Sequence, residues 1–406
     1  MTIRKLKQSE IEYSIRMSEF AFQYYMTDEE RQERLETVNP DETWVIEENG
    51  EIISKASIIP LEVYINGKAF NMGGVSGVVT WPEHRRGGLV SRLMNHCLKE
   101  MKQNGQTISF LYPFSIPFYR KYGWELFADS ALLTLTREQL PNCQPCRGYV
   151  RRIDKDPALV GAVYETWASQ YSGALRRSEK WWKQSVFKRK KGTVAAYYNE
   201  SGHITGYLIY EMKERKMTIH ELIWLDADTR RGLWNFISNH DSMADSISIK
   251  TAAHGRLPFL LEDPKIKREV SSYFMARIVD VKEFLTSFPF ENGEAGPPVI
   301  LHVEDKTCKW NEGTYIIKPA GDDGRNQVDF YPLQPENEEN GKTGATCQHP
   351  PKKGLKLSVQ SLTAVLFGTQ SVQTLIEEEW IAGDEKSAEL LARRIPRQKP
   401  FIYDFF

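Results

Sequence analysis

Residues 74–101 join a β-branched run, a basic glycine turn and an amphipathic segment without a break. The apolar side chains of the amphipathic part recur every three or four positions, which predicts a helix of about four turns; they are Leu89, Val90, Leu93, Met94, Cys97, Leu98 and Met101. The N–H groups that open a helix lack intrahelical partners and carry partial positive charge, and glycines let a ligand approach the backbone. An anion site is therefore predicted at Arg85-Arg86-Gly87-Gly88. An ordinary strand-to-helix connection is the alternative.

The length and composition are those of a globular protein with several domains. At 406 residues the chain favours two to four domains, and its formal net charge of -1 gives no overall attraction to nucleic acid or to an anionic membrane. The N-terminus lacks the apolar core of a signal peptide, and no apolar run is long enough to span a bilayer. Five scattered cysteines fit a reducing compartment. We therefore expect a cytoplasmic protein without a membrane partner.

Two short motifs suggest other functions. The segment from Cys143 to Cys146 has the spacing of half a zinc site, but no second pair of ligands accompanies it, so we predict no metal. Residues 180–183 and 188–191 mix lysine, arginine and tryptophan, which fits either a nucleic-acid patch or a solvated helix face and loop. The balanced charge of the chain favours the second interpretation, without a nucleic-acid partner.

The first third of the chain alternates helical and strand patterns in a recognisable order. A helical, aromatic-rich segment is followed by a hairpin about Asn49-Gly50, further strands up to Thr80, the glycine turn and its helix. An apolar strand at 107–112 and an aromatic turn at 117–124 come next. This order predicts a mixed sheet flanked by helices.

Two of these segments resemble the GNAT acetyltransferases. The run Arg85-Arg86-Gly87-Gly88-Leu89-Val90 resembles their pyrophosphate loop, in which Arg or Gln precedes small residues at alternate positions. Residues 117–124 resemble the segment in which Phe-Tyr begins a short helix and Gly-aromatic starts the last strand. Val90 replaces the final small residue of the loop, as in the Eis (enhanced intracellular survival) branch of the superfamily. The resemblance implies an acetyl-CoA-dependent N-acetyltransferase.

A second stretch echoes the first. Val78 precedes Arg85 by seven positions and Ile223 precedes Arg230 by seven, but the second copy has one glycine where the first has two. We predict a second GNAT-like fold that has lost cofactor binding; coincidence between two strand-turn-helix units is the alternative.

The last part of the chain resembles a third fold. Residues 289–298 form a polar Gly/Pro-rich linker, and residues 334–353 are predicted to be a mobile loop. Residues 361–368 and 372–380 resemble the sterol carrier protein fold that ends Eis-family chains. The predicted class is α+β, with a catalytic GNAT domain at 1–145, a degenerate GNAT-like domain at 146–288 and a sterol-carrier-protein-like domain at 289–406.

Acetyl transfer to an amine needs a held thioester, an unprotonated amine, oxyanion stabilisation and a proton for the leaving thiolate. The resemblance assigns the pyrophosphate of acetyl-CoA to the loop, and the pantetheine and thioester carbonyl to backbone groups of the preceding strand. The loop residues are Arg85, Arg86, Gly87, Gly88, Leu89 and Val90, and the strand residues are Val78, Val79 and Thr80.

The resemblance also implies the general acid and the base. Tyr119 is the acid, because a phenol of unperturbed pKa about 10 stays protonated at pH 7; Tyr122 is the second choice, and packing alone is the alternative for both. The C-terminal carboxylate maps onto Phe406 as the base. Its ordinary pKa, near 3.5, is low for a base, but desolvation would raise it. The aromatic tail 401–406 is predicted to dock, either at the site or as an added strand of the third domain.

The acceptor follows only from the resemblance, which implies a primary amine on an aminoglycoside, a polyamine-like compound or a lysine side chain, and a hexamer. Glu19, Asp28, Glu29 and Glu30 could bind a polycation or simply form a solvated helix face. Two rival functions stay open. One is a FemABX-like transferase that takes an aminoacyl group from tRNA, and the other is a non-catalytic acyl-CoA or lipid-binding sensor.

Overall fold

The computed structural model describes residues 1–291, 297–320, 324–333, 351 and 353–406. Its strands are β1 Thr2–Lys5, β2 Thr43–Glu48, β3 Glu51–Ile65, β4 Lys68–Thr80, β5 Ile108–Leu111, β6 Glu125–Thr136, β7 Tyr149–Ile153, β8 Thr193–Tyr198, β9 Ile204–Lys213, β10 Lys216–Trp224, β11 Ser246–Ala252, β12 Lys267–Ile278, β13 Val299–Glu304, β14 Gly313–Ala320, β15 Asn326–Pro332, β16 Leu355–Ser358 and β17 Ile381–Ala382.

Its helices are α1 Ile11–Phe22, α2 Asp28–Thr37, α3 Leu89–Gln103, α4 Ile116–Arg120, α5 Pro157–Ala168, α6 Glu179–Trp181, α7 Phe187–Arg189, α8 Ala227–Ser238, α9 Val281–Ser287, α10 Val359–Leu366, α11 Val372–Glu377 and α12 Glu385–Arg394. A π turn at Trp182–Val186 joins α6 to α7.

One continuous sheet contains the first twelve strands, in the order β1-β2-β3-β4-β5-β12-β6-β11-β10-β9-β8-β7. Strand β12 lies between β5 and β6, and β6 in turn pairs with β11. Strand β12, which comes late in the sequence, therefore lies beside the early strand β5, and the early strand β6 lies beside the late strand β11. The domain limits near residues 145 and 288 stay predictions, because the hydrogen bonds of this sheet join strands from both predicted GNAT domains.

The local predictions in the first part of the chain are confirmed. Asn49 and Gly50 connect β2 to β3 with φ values of 52° and 85°, the left-handed backbone that an Asn-Gly hairpin turn requires. The predicted amphipathic helix is α3, and its apolar stripe is buried. It packs on one face of β2, β3 and β4, while α1 packs on the opposite face of β4.

A second, five-stranded sheet has the order β15-β14-β13-β16-β17 and carries α9 to α12. Helix α10 packs against both β6 and β12, so this sheet shares a core with the large one. Both sheets mix parallel and antiparallel pairs, which confirms the α+β class. The predicted linker overlaps residues 292–296, and the predicted loop lies almost wholly outside the described residues. Within the described ranges, no helix is both long and apolar enough to cross a membrane.

Candidate active site

The two parallel strands β4 and β5 separate at the place where the sequence predicts the thioester. They pair from Met72 with Ile108 to Val75 with Leu111, where β5 ends, while β4 continues to Thr80. The register between β3 and β4 shifts at this point, and Gly77 has a φ of 58°. The predicted residues Val78, Val79 and Thr80 therefore lie beyond the split, where β4 has β3 on one side and no strand of the described residues on the other.

The turn before α3 has the form of an anion-binding nest. Arg86 and Gly88 have φ values of 66° and 75° on either side of Gly87, an alternation that turns successive N–H groups toward one point. Among the described residues, no acceptor bonds to the N–H groups of residues 86–91. A Cβ atom on Gly88 would meet nothing within 4 Å, so the space in front of the turn is open.

The other predicted loop residues either carry charge or anchor the helix. Arg85 and Arg86 are exposed, and the Nε of Arg85 donates to the carbonyl of Thr80 at 3.2 Å, which ties the turn to the end of β4. The side chain of Leu89 is buried and that of Val90 is half-buried, both against the core under α3. These two residues can offer a ligand their backbone N–H groups.

The second copy of the motif differs in its first helical turn. Helix α8 begins at Ala227, so Arg230 lies inside the helix instead of in a turn before it. The carboxylate of Asp226 accepts the N–H of Thr229 at 2.8 Å and thus satisfies the helix N-terminus internally. A Cβ on Gly232 would lie 2.1 Å from the ring of Tyr197, so this glycine serves close packing. These features favour the prediction that the second copy does not bind the cofactor.

Tyr119 lies in α4 beneath the split between β4 and β5. It is 4% exposed and belongs to the same core cluster as Val75, Leu111 and Leu89. Its hydroxyl forms no hydrogen bond with the described residues, and burial raises its pKa above the ordinary value, so it holds its proton at neutral pH. Tyr122 is half-buried and packs against Phe118 with ring centroids 5.4 Å apart.

The C-terminal tail is docked, as predicted, and it does not form the strand of the third domain that was one of the two alternatives. The N–H of Phe401 donates to the carbonyl of Ser172 at 3.1 Å, and residues 401–406 then run through the interior outside any strand. The ring of Phe406 reaches β4, where a Cβ on Gly74 would lie 2.8 Å from it. The added-strand alternative is therefore wrong, and the tail ends on the catalytic half of the large sheet.

A buried ion-pair network holds the tail two residues before its end. Arg177 donates to Asp404 at 3.0 Å and to Glu221 at 2.8 Å, and its side chain is fully buried. The indole of Trp181 donates to Asp404 at 2.9 Å, and Lys190 pairs with Glu221. Burial raises the pKa of Glu221, but Arg177 and Lys190 outweigh this and lower it to about 2.

The terminal carboxylate itself has no cationic partner. No lysine, arginine or histidine of the described residues forms an ion pair with it, and the ring of Phe406 packs against Phe274 at 5.0 Å. Phe406 approaches the sheet on the face of Gly74 and Phe110, whereas Tyr119 packs with Val75 and Leu111 on the other face. The predicted acid and base thus reach the split strands from opposite sides.

Sequence reasoning missed the residues that hold the tail. Arg177 stands in no motif. Gly74 and Asp404 lie in segments that the sequence singles out, but the sequence predicts no role for them, because their roles depend on contacts between distant segments. The interpretation of the basic segments 180–183 and 188–191 as a solvated face is wrong in part, since Trp182 is buried and Lys190 is half-buried against Glu221. Within the part of the chain that the structure describes, no three His, Cys, Asp or Glu residues are placed to share a metal ion.

Three segments match known protein families. Residues 2–127 and residues 173–278 each match a family described as an acetyltransferase (GNAT) domain, and residues 281–403 match a sterol carrier protein domain. The chain is 25% identical to an uncharacterized N-acetyltransferase of Streptomyces griseus over 377 residues, which cover 84% of this chain and 83% of that protein.

Two further relatives extend the similarity. The N-acetyltransferase Eis of Mycobacterium tuberculosis is 24% identical over 270 residues, which cover 63% of this chain and 67% of that protein. A solved structure from Enterococcus faecalis V583, a conserved protein of unknown function described as a probable N-acyltransferase, superposes with a TM-score of 0.87. It is 27% identical and covers 100% of this chain and 99% of its own.

Proposed function

The chain is an Eis-like N-acetyltransferase of the GNAT superfamily, and we propose that it transfers the acetyl group of acetyl-CoA directly to a primary amine. The observation that carries this proposal is the open nest at residues 86–91, whose N–H groups have no acceptor among the residues that the structure describes. Its exposed neighbours Arg85 and Arg86 add positive charge. A pyrophosphate is the kind of group that such a site takes.

Acetyl-CoA would supply the thioester, and the residues of this chain would bind and orient it. Arg85, Arg86 and the N–H groups that open α3 would hold the pyrophosphate by charge-assisted hydrogen bonds. The free edge of β4 from Val78 to Thr80 would run beside the pantetheine, because β5 has already ended at Leu111. No carboxylate in the described part of the chain caps this helix N-terminus, in contrast to α8, so the residues present fit the cofactor.

Tyr119 and the carboxylate of Phe406 are the proposed acid and base. The buried hydroxyl of Tyr119 keeps its proton until a thiolate forms nearby and then donates it. The carboxylate of Phe406 has no cationic partner among the described residues, and the ring of Phe406 packs against Phe274, surroundings that favour the carboxylate as a proton acceptor for the attacking amine. The docking of the tail by Arg177 supports this assignment, since it fixes the end of the chain.

Calorimetric titration with acetyl-CoA, followed by thiol release with a panel of amines, tests the function. Binding and release are expected; absence of binding would refute the proposal, and binding without release would favour the sensor. The panel includes an aminoglycoside, a polyamine and a lysine peptide, which are the acceptors implied by the resemblance, and aminoacyl-tRNA is the donor that tests the FemABX alternative.

Extension of the C-terminus tests the base. One glycine added after Phe406 moves the carboxylate away from its docked position, so thiol release should fall while acetyl-CoA still binds. A glycine added before Met1 is the matched control. Full turnover by the C-terminally extended, folded protein would refute the role of Phe406. The hexamer and the cytoplasmic location implied by the resemblance belong to this proposal, and sedimentation velocity tests the hexamer.

A further inference from the structure

Helices α2 and α7 face each other across the approach to the tail. The ammonium of Lys188 in α7 lies 2.5 Å from the carboxylate of Glu33 in α2, which joins the two helices. The next residue, Arg189, places its guanidinium 5.0 Å from the centroid of the Phe405 ring. Phe405 in turn packs against Tyr112 with ring centroids 5.1 Å apart. The side chains on this surface therefore border the end of the chain where the proposed base lies.

Two arginines on this surface have no counter-ion. Neither Arg34, in the last turn of α2, nor Arg189 forms an ion pair with any described residue. Each is the next residue in the chain after a member of the Glu33–Lys188 pair, so both belong to the contact between α2 and α7. Burial lowers the pKa of Arg189, and the positive charge of Arg34 lowers it further. A third cation, Lys55, lies close to Arg34, and its ammonium bonds only to uncharged oxygens of Ser14 and Ser18.

The carboxylates nearby are already engaged. Glu19 receives two hydrogen bonds from Arg31, at 2.7 and 2.9 Å, and Glu30 closes the N-terminal cap of α2 with Thr27. Asp404 belongs to the buried network of Arg177. The predicted role of Glu19 and Glu30 in binding a polycation therefore has little support. Asp28 and Glu29 lie in the first turn of α2, at the opposite end from Arg34.

Aromatic rings accompany the arginines on this surface, beginning with the ring of Phe405 beside Arg189. Tyr24 is 37% exposed; burial raises the pKa of its phenol, and the positive charges of Arg34 and Arg189 oppose this rise. Tyr112, the residue after β5, is 47% exposed and packs against Phe405. Exposed rings of this kind bury the apolar body of a ligand, and guanidinium groups recognise its anionic group.

We propose that the acceptor is a primary amine on an apolar or aromatic body that also carries an anionic group, which Arg34 and Arg189 hold. This inference rests on the proposed acetyl transfer. The amine nitrogen bonds to the acetyl carbon as the carbon–sulfur bond breaks. The amine gives one proton to the base, and the leaving thiolate takes one proton to become the free thiol of coenzyme A.

Amines that differ only in charge test the inference. We would compare para-(aminoethyl)benzoate with the corresponding benzamide, and tyramine O-phosphate with tyramine, in the thiol-release assay; spermine serves as the polycation. In at least one pair, the KM of the anionic amine should be lower than that of its neutral counterpart by about tenfold or more. The pair that shows this difference identifies the anionic group as a carboxylate or a phosphate. Equal KM values within both pairs, or a preference for spermine, would overturn the inference.

Variants identify the arginines as the source of the preference. Arg34→Gln and Arg189→Gln should each raise the KM for the anionic amine, while Arg34→Lys and Arg189→Lys should keep part of the preference. Arg393→Gln, in the distant helix α12, is the matched control and should keep all of it. An unchanged preference in both Gln variants would overturn the assignment. Acetyl-CoA binding without thiol release from any amine would instead refute the proposed function, and this inference with it.

Discussion

The ring of Phe406, the last residue of the chain, lies directly over Gly74 in β4, where a methyl group would approach it to 2.8 Å. Gly74 pairs with Phe110 one residue before β4 and β5 separate. A glycine is needed there because the side chain of any other residue would occupy the position of the ring. The ring of Phe406 therefore fits against the surface of β4 next to the point where β4 and β5 separate.

Gly74→Ala should displace the tail without unfolding the protein. The added methyl overpacks the contact at a cost of about 1–3 kcal/mol, and kcat should fall about ten- to hundredfold because the terminal carboxylate moves. Gly161→Ala, at a helical glycine with nothing within 4 Å, is the control; it should leave kcat unchanged and stabilise the protein by about 0.5–1 kcal/mol, because alanine favours a helix more than glycine does. An unaltered kcat in Gly74→Ala would argue against a catalytic tail.

Tyr119→Phe should lower kcat about a hundredfold or more, since it removes the proton donor but keeps the ring. The hydroxyl has no hydrogen-bond partner among the described residues, so the melting temperature should stay the same. Acetyl-CoA affinity, measured by calorimetry, should also be retained. Tyr122→Phe is the matched variant; if it shows the larger loss, Tyr122 is the acid.

Arg86→Glu should abolish measurable binding of acetyl-CoA, because it places a carboxylate beside the open nest. The equivalent change, Arg231→Glu, should leave binding unaltered, since Arg231 pairs with Asp228 at 2.9 Å in a helix whose N-terminus is already capped. Calorimetric titration of both variants measures this difference. Equal effects would contradict the claim that only the first copy binds the cofactor.

Asp404→Asn should destabilise the protein by about 3–5 kcal/mol, because it leaves the buried charge of Arg177 partly uncompensated. Urea unfolding measures the change. Asp245→Asn breaks an exposed pair with Arg215 and should cost no more than about 1 kcal/mol. Similar losses in the two variants would show that the network does not hold the tail.

Lys55 should make stability depend on pH. Burial, with a contribution from Arg34, lowers its pKa to about 7 from the ordinary 10.5, so the folded protein binds fewer protons than the unfolded chain between these values. Stability must therefore rise with pH through that window. In Lys55→Met this part of the rise should disappear, which urea unfolding at pH 7 and at pH 10 measures. Identical pH profiles would contradict a buried amine with a lowered pKa.

The local predictions that held are those that short-range chemistry determines. The Asn-Gly turn follows from the left-handed backbone that these two residues tolerate, and α3 follows from the spacing of its apolar stripe. The nest at Arg86 to Gly88 could be predicted for the same reason, because glycines and arginines before a helix act within a few residues of each other. Resemblance to a family added the roles of these elements.

The chain by itself also indicated that its aromatic end is buried, since four aromatic side chains at a free terminus would otherwise stay in water. Only the tertiary structure decided where they go. The fit of Phe406 over Gly74, the pairing of Arg177 with Asp404 and the insertion of β12 between β5 and β6 each join residues more than a hundred positions apart. No local sequence pattern predicts such contacts, because the residues that form them come together only when the sheet has folded.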